Sequence, residues 1–214
     1  MEPTEDNLRA WEAAHGRGRG TVGEPGLPAP VRHALAELQG KRILVPQCGT
    51  GESAAELAAL GAVVTGVDSS AEALNFARER WPTILWIQGE AGSLPRELRR
   101  GRFDLVYAGW NVDWVSDLGD WVNAIVAALR PGGDVLLYDE HPAAKSVDGL
   151  MHWREDYFAD DSPQRLWRLG QIVTAVARAG LSVRALEEYP EQPGNPRHHD
   201  ARVPGTFLLH AQRP

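Results

Sequence analysis

ILVPQCGTGESAAELAALGAVVTGVDSS, residues 43–70, is the stretch that decides the fold. Ile43, Leu44 and Val45 form a short apolar run suited to a central parallel strand buried on both faces. Gly49 and Gly51 allow a tight turn and close approach of backbone to a ligand. From Glu52 to Leu60 apolar residues recur at helical spacing, and Gly61 is a stop signal. Ala62 to Val67 reads as the next strand, with Asp68 just past its end. In a βαβ unit that aspartate lies across the crevice from the glycine turn, where it can accept hydrogen bonds from a ribose diol.

Two nucleotide-binding patterns share this logic. A dinucleotide fingerprint wants G-x-G-x-x-G; here Gly49-Thr50-Gly51 is followed by Ala54, so the third glycine is missing. The stretch more closely resembles motif I of the class I S-adenosylmethionine (SAM) methyltransferases. Val45 stands where that family usually has an acidic residue, and Gln47 replaces the first glycine. The VPQCGTG form is similar to the V-P-x-C-G variant of some small-molecule methyltransferases. The resemblance runs from about residue 40 to the C-terminus. It implies SAM as methyl donor and S-adenosylhomocysteine as product, with Gln47, Cys48, Gly49, Thr50, Gly51, Asp68 and Ser69 on the cofactor.

Later segments carry the same resemblance. Ser69-Ser70-Ala71-Glu72 reads as a cap and a helix to about Arg80. Thr83 to Gln88 is the third strand. Family members often have an acidic residue and an alanine after it, reading adenine through a carboxylate and a backbone N–H; Glu90 and Ala91 fall there. Phe103 to Gly109 is the fourth strand, similar to the family's F-D-x-V segment, which implies that Ala108, Gly109, Trp110 and Asn111 line the site. Asp117 to Leu129 makes an amphipathic helix, and Arg130-Pro131-Gly132-Gly133 resembles the family's L-x-P-G-G turn before a fifth strand, Asp134 to Tyr138. A helix from Pro163 to Ala179, a strand from Leu181 to Tyr189 and a last strand from Thr206 to Gln212 complete the count. The expected fold is α/β: one domain with a seven-stranded, mostly parallel sheet, helices on both faces and an antiparallel last strand. No internal repeat or second domain is visible.

A chain of 214 residues is long enough for one domain with a sizeable core. The formal net charge of -7 speaks against a nucleic-acid partner, which needs a basic face, and suits a cationic sulfonium ligand. Cys48 is the only cysteine, so no internal disulfide forms and a cytoplasmic location is expected; its simplest role is turn packing. No apolar run is long enough to span a membrane. Whether the chain is a monomer or a homodimer is left open.

Ligands in open α/β sheets bind beyond the carboxyl ends of the strands. The long segments 141–162 and 190–204 emerge there and are expected to build the acceptor pocket. Residues 1–39 form the N-terminal part, with a helix over Asn7 to His15, a glycine- and proline-rich stretch, and a second helix over Val31 to Leu38. In similar methyltransferases this part caps cofactor and substrate, making Trp11, His15 and Arg17 lid candidates; a tethering helix is the alternative. Asn111, Trp114 and Trp153 are the other substrate-binding candidates, and Asp113 is equally suited to capping a helix. An indole-lined pocket suits a flat or apolar acceptor or a contact with the sulfonium. Trp81, Trp86, Trp121 and Trp167 lie on periodic segments and are expected in or near the core.

Methyl transfer needs an aligned nucleophile and, for some acceptors, a base. His141 is the leading base because the fifth strand aims it at the cleft, with Glu140 as alternate; a loop histidine bonded to backbone is the other reading of His141. No metal is expected: adjacent His198 and His199 point apart in an extended segment. The function implied is SAM-dependent methyl transfer to an oxygen or nitrogen of a small molecule. The rivals are a silent methyltransferase-like protein that binds SAM or its product, and an NAD-type oxidoreductase, which the chain disfavours by lacking a Tyr-x-x-x-Lys pair.

Overall fold

The structure, a computed structural model, describes residues 26–110, 112–146, 156–158, 166–190 and 203–214. The chain divides into two compact units, Met1–Glu90 and Ala91–Pro214.

The first unit alternates helix and strand: α1 (Ala29–Ala34), β1 (Arg42–Pro46), α2 (Glu52–Ala59), β2 (Val63–Asp68), α3 (Ala71–Arg80) and β3 (Leu85–Gln88). β1 pairs in parallel with β2, and β2 with β3. Residues 43–46 are all buried, as a strand covered on both faces requires. α3 begins where expected, with the Ser70 hydroxyl accepting from the Ala73 N–H. The second helix of the N-terminal part is shorter than the sequence suggests. It starts at Ala29 behind Pro28 and ends at Ala34, because Leu35 turns extended.

Residues 26–32 are fastened to α2 through Glu56, whose carboxylate accepts from the Leu27 N–H (2.7 Å) and pairs with Arg32 Nε (2.5 Å). Ser53 Oγ donates to the Gly26 carbonyl, and Leu27 and Val31 are buried beside these contacts. The Asn7–His15 helix lies outside the described residues.

Trp86 organises the interior of this unit. A Cβ on Gly51 would meet its ring at 2.5 Å and one on Gly66 at 2.4 Å. The two glycines therefore let α2 and β2 close over an indole whose Nε1 donates to the Trp81 carbonyl. Burying a side chain of that area stabilises by on the order of 4 kcal/mol.

The second unit holds β4 (Phe103–Gly109), α4 (Leu118–Ala128), β5 (Leu129–Glu140), α5 (Pro142–Lys145), α6 (Leu169–Arg178), β6 (Ser182–Tyr189) and β7 (Thr206–Gln212). Its strand order is β4-β5-β7-β6, with β4 and β5 parallel and β7 antiparallel to both neighbours. The fifth strand is longer than expected. Arg130 to Gly133 does not precede it but forms a bulge inside it, since Phe103 pairs with Leu129 and Leu105 with Asp134. Arg130 Nε holds the bulge to Asp104 (2.7 Å), and Arg213 closes it by backbone bonds to Gly132 and Gly133. α4 is capped by Asp117, which accepts from the Asp120 N–H. α6 starts at Leu169, because residues 166–168 are not helical.

Trp86 and Trp121 are buried, whereas Trp81 and Trp167 are half-buried. Among the described residues the units hold seven strands, mostly parallel with an antiparallel last strand, as the sequence predicts.

Candidate active site

The carboxyl ends of β1, β2 and β3 assemble one set of groups. After β1 the chain turns sharply: Gln47 has φ 52°, Gly49 φ 54° and Gly51 φ 93°. A Cβ at Gly49 would meet nothing within 4 Å, so this backbone faces open space. At Gly51 the close approach is to Trp86, which corrects the expectation that both glycines yield room to a ligand.

Asp68, at the end of β2, spans the turn. Its Oδ2 accepts from the Gly49 N–H (2.7 Å) and its Oδ1 from the Ser70 N–H (2.9 Å). Each carboxylate oxygen can accept more than one bond, so capacity for a ribose hydroxyl remains. Burial raises the Asp68 carboxyl above its ordinary value, against the three backbone N–H bonds it accepts. Glu90 is raised too, by burial and then by the charge of Asp68. Thr50 Oγ1 donates to Glu52 (2.6 Å), and Ser69 is exposed. Cys48 lies beside Gly66, and burial followed by the Asp68 charge pushes its thiol far up, away from the thiolate form.

In the second unit the carboxyl ends of β4 and β5 form another set. Trp110 takes a left-handed backbone (φ 62°), an uncommon state for a bulky residue. Its N–H donates to the Tyr138 carbonyl, and its ring meets the Tyr138 ring edge-on at 5.0 Å. Trp110 and Trp114 remain 38% and 37% exposed. Ala108 and Ala91 are buried, so neither methyl is presented to an open site.

Asp139 is buried; its Oδ2 accepts from the Val112 N–H (2.9 Å) and its Oδ1 from the Glu140 N–H (2.7 Å). Lys145 Nζ bonds Asp113 and lies 3.7 Å from Asp139 and 3.8 Å from Glu140. Burial raises both Asp139 and Glu140, with Lys145 pulling the other way. Lys145 itself is raised: burial opposes its charge, but Asp139, Asp113 and Glu140 outweigh it.

His141 is placed differently from the sequence expectation. It is 6% exposed, its Nδ1 accepts from the Ala143 N–H as the cap of α5, and its ring packs edge-on against Phe207. Its Nε2 sits 2.9 Å from Glu188 on β6, too far off axis for a good hydrogen bond. Burial lowers its pKa, and Glu188 opposes that. Both ring nitrogens thus face protein, and Glu140 is the more open of the two expected bases.

Trp11, His15, Arg17, Asn111, Trp153 and His198–His199 lie outside the described residues, as do most of segments 141–162 and 190–204. Among the described residues no group of three or more His, Cys, Asp or Glu could hold a metal. An open groove of about 750 Å³ lies between α4 and α6, lined by Asn123, Tyr157, Phe158, Trp167 and Arg168. None of its lining residues comes from the strand ends, so it is separate from the sets above.

Residues 43–133 match the family model described as a methyltransferase domain. This segment of the chain is similar to methyltransferase domains. Over 107 residues the chain is 38% identical to a demethylmenaquinone methyltransferase of Chlorobaculum tepidum, covering 48% of this chain and 43% of that one. Over 141 residues it is 34% identical to a malonyl-[acyl-carrier protein] O-methyltransferase of Enterobacter lignolyticus, covering 65% and 53%. The chain thus spans about half the length of these curated relatives. A crystal structure of an S-adenosylmethionine-dependent methyltransferase from Mesorhizobium loti superposes with a TM-score of 0.75 over 86% of this chain and 96% of that chain, at 24% identity. That likeness extends the fold beyond the matched domain. It agrees with the α/β class read from the sequence.

Lys145 and Asp139 are the functional candidates the sequence did not expose. Lys145 and Asp113 are 32 positions apart, so no local spacing signals the pair.

Proposed function

We propose that the chain is a SAM-dependent methyltransferase acting on an oxygen or nitrogen of a small-molecule acceptor. The observation that carries this reading is the open-faced Gly49 turn braced by Asp68, with Glu90 as a second carboxylate interacting with it. These groups fit an adenosyl ligand. Asp68 would accept from ribose hydroxyls, Glu90 from the adenine amino group, and the Gly49 backbone would allow close approach. The missing third glycine disfavours a dinucleotide, and the likeness to an S-adenosylmethionine-dependent methyltransferase favours SAM.

When bound, SAM supplies an electrophilic methyl group on a cationic sulfonium. The chain's own task is to orient an acceptor and remove its proton. Glu140 is the group for the second task. It ends β5, is partly open to solvent, and burial makes it a stronger base than an ordinary carboxylate. Trp110 and Trp114 offer indole faces to a flat or apolar acceptor. The names of two relatives, a demethylmenaquinone methyltransferase and a malonyl-[acyl-carrier protein] O-methyltransferase, favour a quinone or a carrier-bound acyl group as the kind of acceptor, and the second favours oxygen as the receiving atom. A cytoplasmic location and action without nucleic acid belong to the same reading. No helix among the described residues is long and apolar enough to cross a membrane.

The test is a panel of phenols, carboxylic acids and amines incubated with methyl-labelled SAM. Acceptor-dependent release of S-adenosylhomocysteine with label in the acceptor supports transfer. Tight binding of SAM with no transfer to any member would favour the silent binder.

A further inference from the structure

We propose that Lys145 is a positioning residue of the second unit, clasping the loop after β4 to the end of β5 so that Glu140 stands ready as a carboxylate. Lys145 is the last residue of the four-residue helix α5, which Pro142 starts and the His141 ring caps. Its side chain is only 18% exposed, and its ammonium meets three carboxylates from two segments: Asp113 from the loop after β4, and Asp139 and Glu140 from the end of β5.

Three carboxylates within reach of one another repel, and a buried one is costly to ionise. Asp139 already gives its oxygens to the Val112 and Glu140 N–H groups, which fixes it in place. Without a cation, that fixed aspartate and Asp113 would both push the Glu140 carboxylate toward its protonated form. Lys145 is the cation that the structure places among all three. It also bridges backbone segments that share no sequence proximity, so its loss would remove the tie between α5 and the Val112–Trp114 turn as well. The geometry assigns the clasp to the side chain's length and charge together. An arginine keeps both, and a methionine keeps only the first.

The consequence for turnover rests on the methyltransferase reading; the clasp itself does not, and the test separates them. Lys41 and Lys145 are the only lysines, so a Lys41→Arg background leaves a single lysine to observe. In that background, side-chain NMR with labelled lysine and glutamate follows the Lys145 amine and the Glu140 carboxyl through a pH titration, with no acceptor present. Thermal unfolding with and without S-adenosylhomocysteine is run on the same proteins. The Lys145 amine should titrate above an exposed lysine, and Asp113→Asn should bring it down. Lys145→Met should move the Glu140 midpoint upward, and Lys145→Arg should return it. A Lys145 amine that titrates as an exposed one, or a Glu140 midpoint equal in all three proteins, overturns the proposal. If Lys145→Met does not fold, the Asp113→Asn response of the amine decides alone. Absence of any S-adenosylhomocysteine shift in the Lys41→Arg protein would count against the methyltransferase reading while leaving the NMR outcome for the clasp intact.

Discussion

Asp68 braces the Gly49 turn and, in the proposed reading, also binds ribose, and the two roles respond to pH in opposite directions. Its folded value is raised by burial, so the folded chain holds that proton more tightly than the unfolded one. Its contribution to stability is therefore fully present below the ordinary aspartate range and is lost as pH rises through the folded value. Ribose binding needs the ionised form, so cofactor affinity should instead fall as pH drops through that same value, starting above the ordinary carboxylate range. Melting temperature and S-adenosylhomocysteine affinity, each measured across pH 4–8, should show the crossing trends; parallel trends would separate Asp68 from the cofactor. Asp68→Ala should weaken cofactor binding about tenfold or more and leave the Gly49 N–H unsatisfied, costing about 1–3 kcal/mol in denaturant unfolding. His141→Ala should cost about 1 kcal/mol, because it removes the cap on the Ala143 N–H, while affinity for S-adenosylhomocysteine stays unchanged. A large fall in turnover without any loss of stability would return His141 to the role of base.

The glycine turn shows how an element can be read correctly and still be half understood. Gly51 carries φ 93° and lies against Trp86, so Gly51→Ala meets both a strained backbone and a collision. Gly66→Ala meets the collision alone. Both should destabilise, Gly51→Ala by about 1–3 kcal/mol more than a simple glycine exchange, and trimming Trp86 to leucine should relieve Gly66→Ala in part. Denaturant melts of the two single variants and the Gly66→Ala/Trp86→Leu pair check this; an additive pair would mean that the indole is not the obstacle. The strand–turn–helix–strand order was legible from apolar runs and glycines alone. The partner of Gly51 was not, because Trp86 lies 35 positions further on and nothing in local spacing links them. The bulge in β5 was hidden for a similar reason: Pro131-Gly132-Gly133 reads as a turn, and only pairing with Phe103 and Arg213 keeps the segment in the strand.

At the scale of the whole molecule, the sequence disclosed what depends on pattern. The seven strands follow from periodicity and glycine stops, while their directions follow from the resemblance to class I methyltransferases that the motif order carries. It disclosed the acidic groups after β2 and β3 because they sit at strand ends. It could not show the neighbours of His141: a histidine after a strand looks aimed at a ligand, and the structure sets Ala143, Glu188 and Phe207 around it. The net charge of -7 fits a cationic ligand without naming it. Whether the first unit's glycine turn and Asp68 serve SAM is tested most directly by thermal unfolding of the purified chain with SAM, S-adenosylhomocysteine, NADH and ATP in parallel. A ligand at about 100 times its dissociation constant adds roughly 2.7 kcal/mol, which raises the midpoint by roughly 5–10 °C for a chain of this size. SAM and S-adenosylhomocysteine alone should give that rise, and Asp68→Ala should abolish it. A rise with NADH and none with S-adenosylhomocysteine would contradict a SAM site.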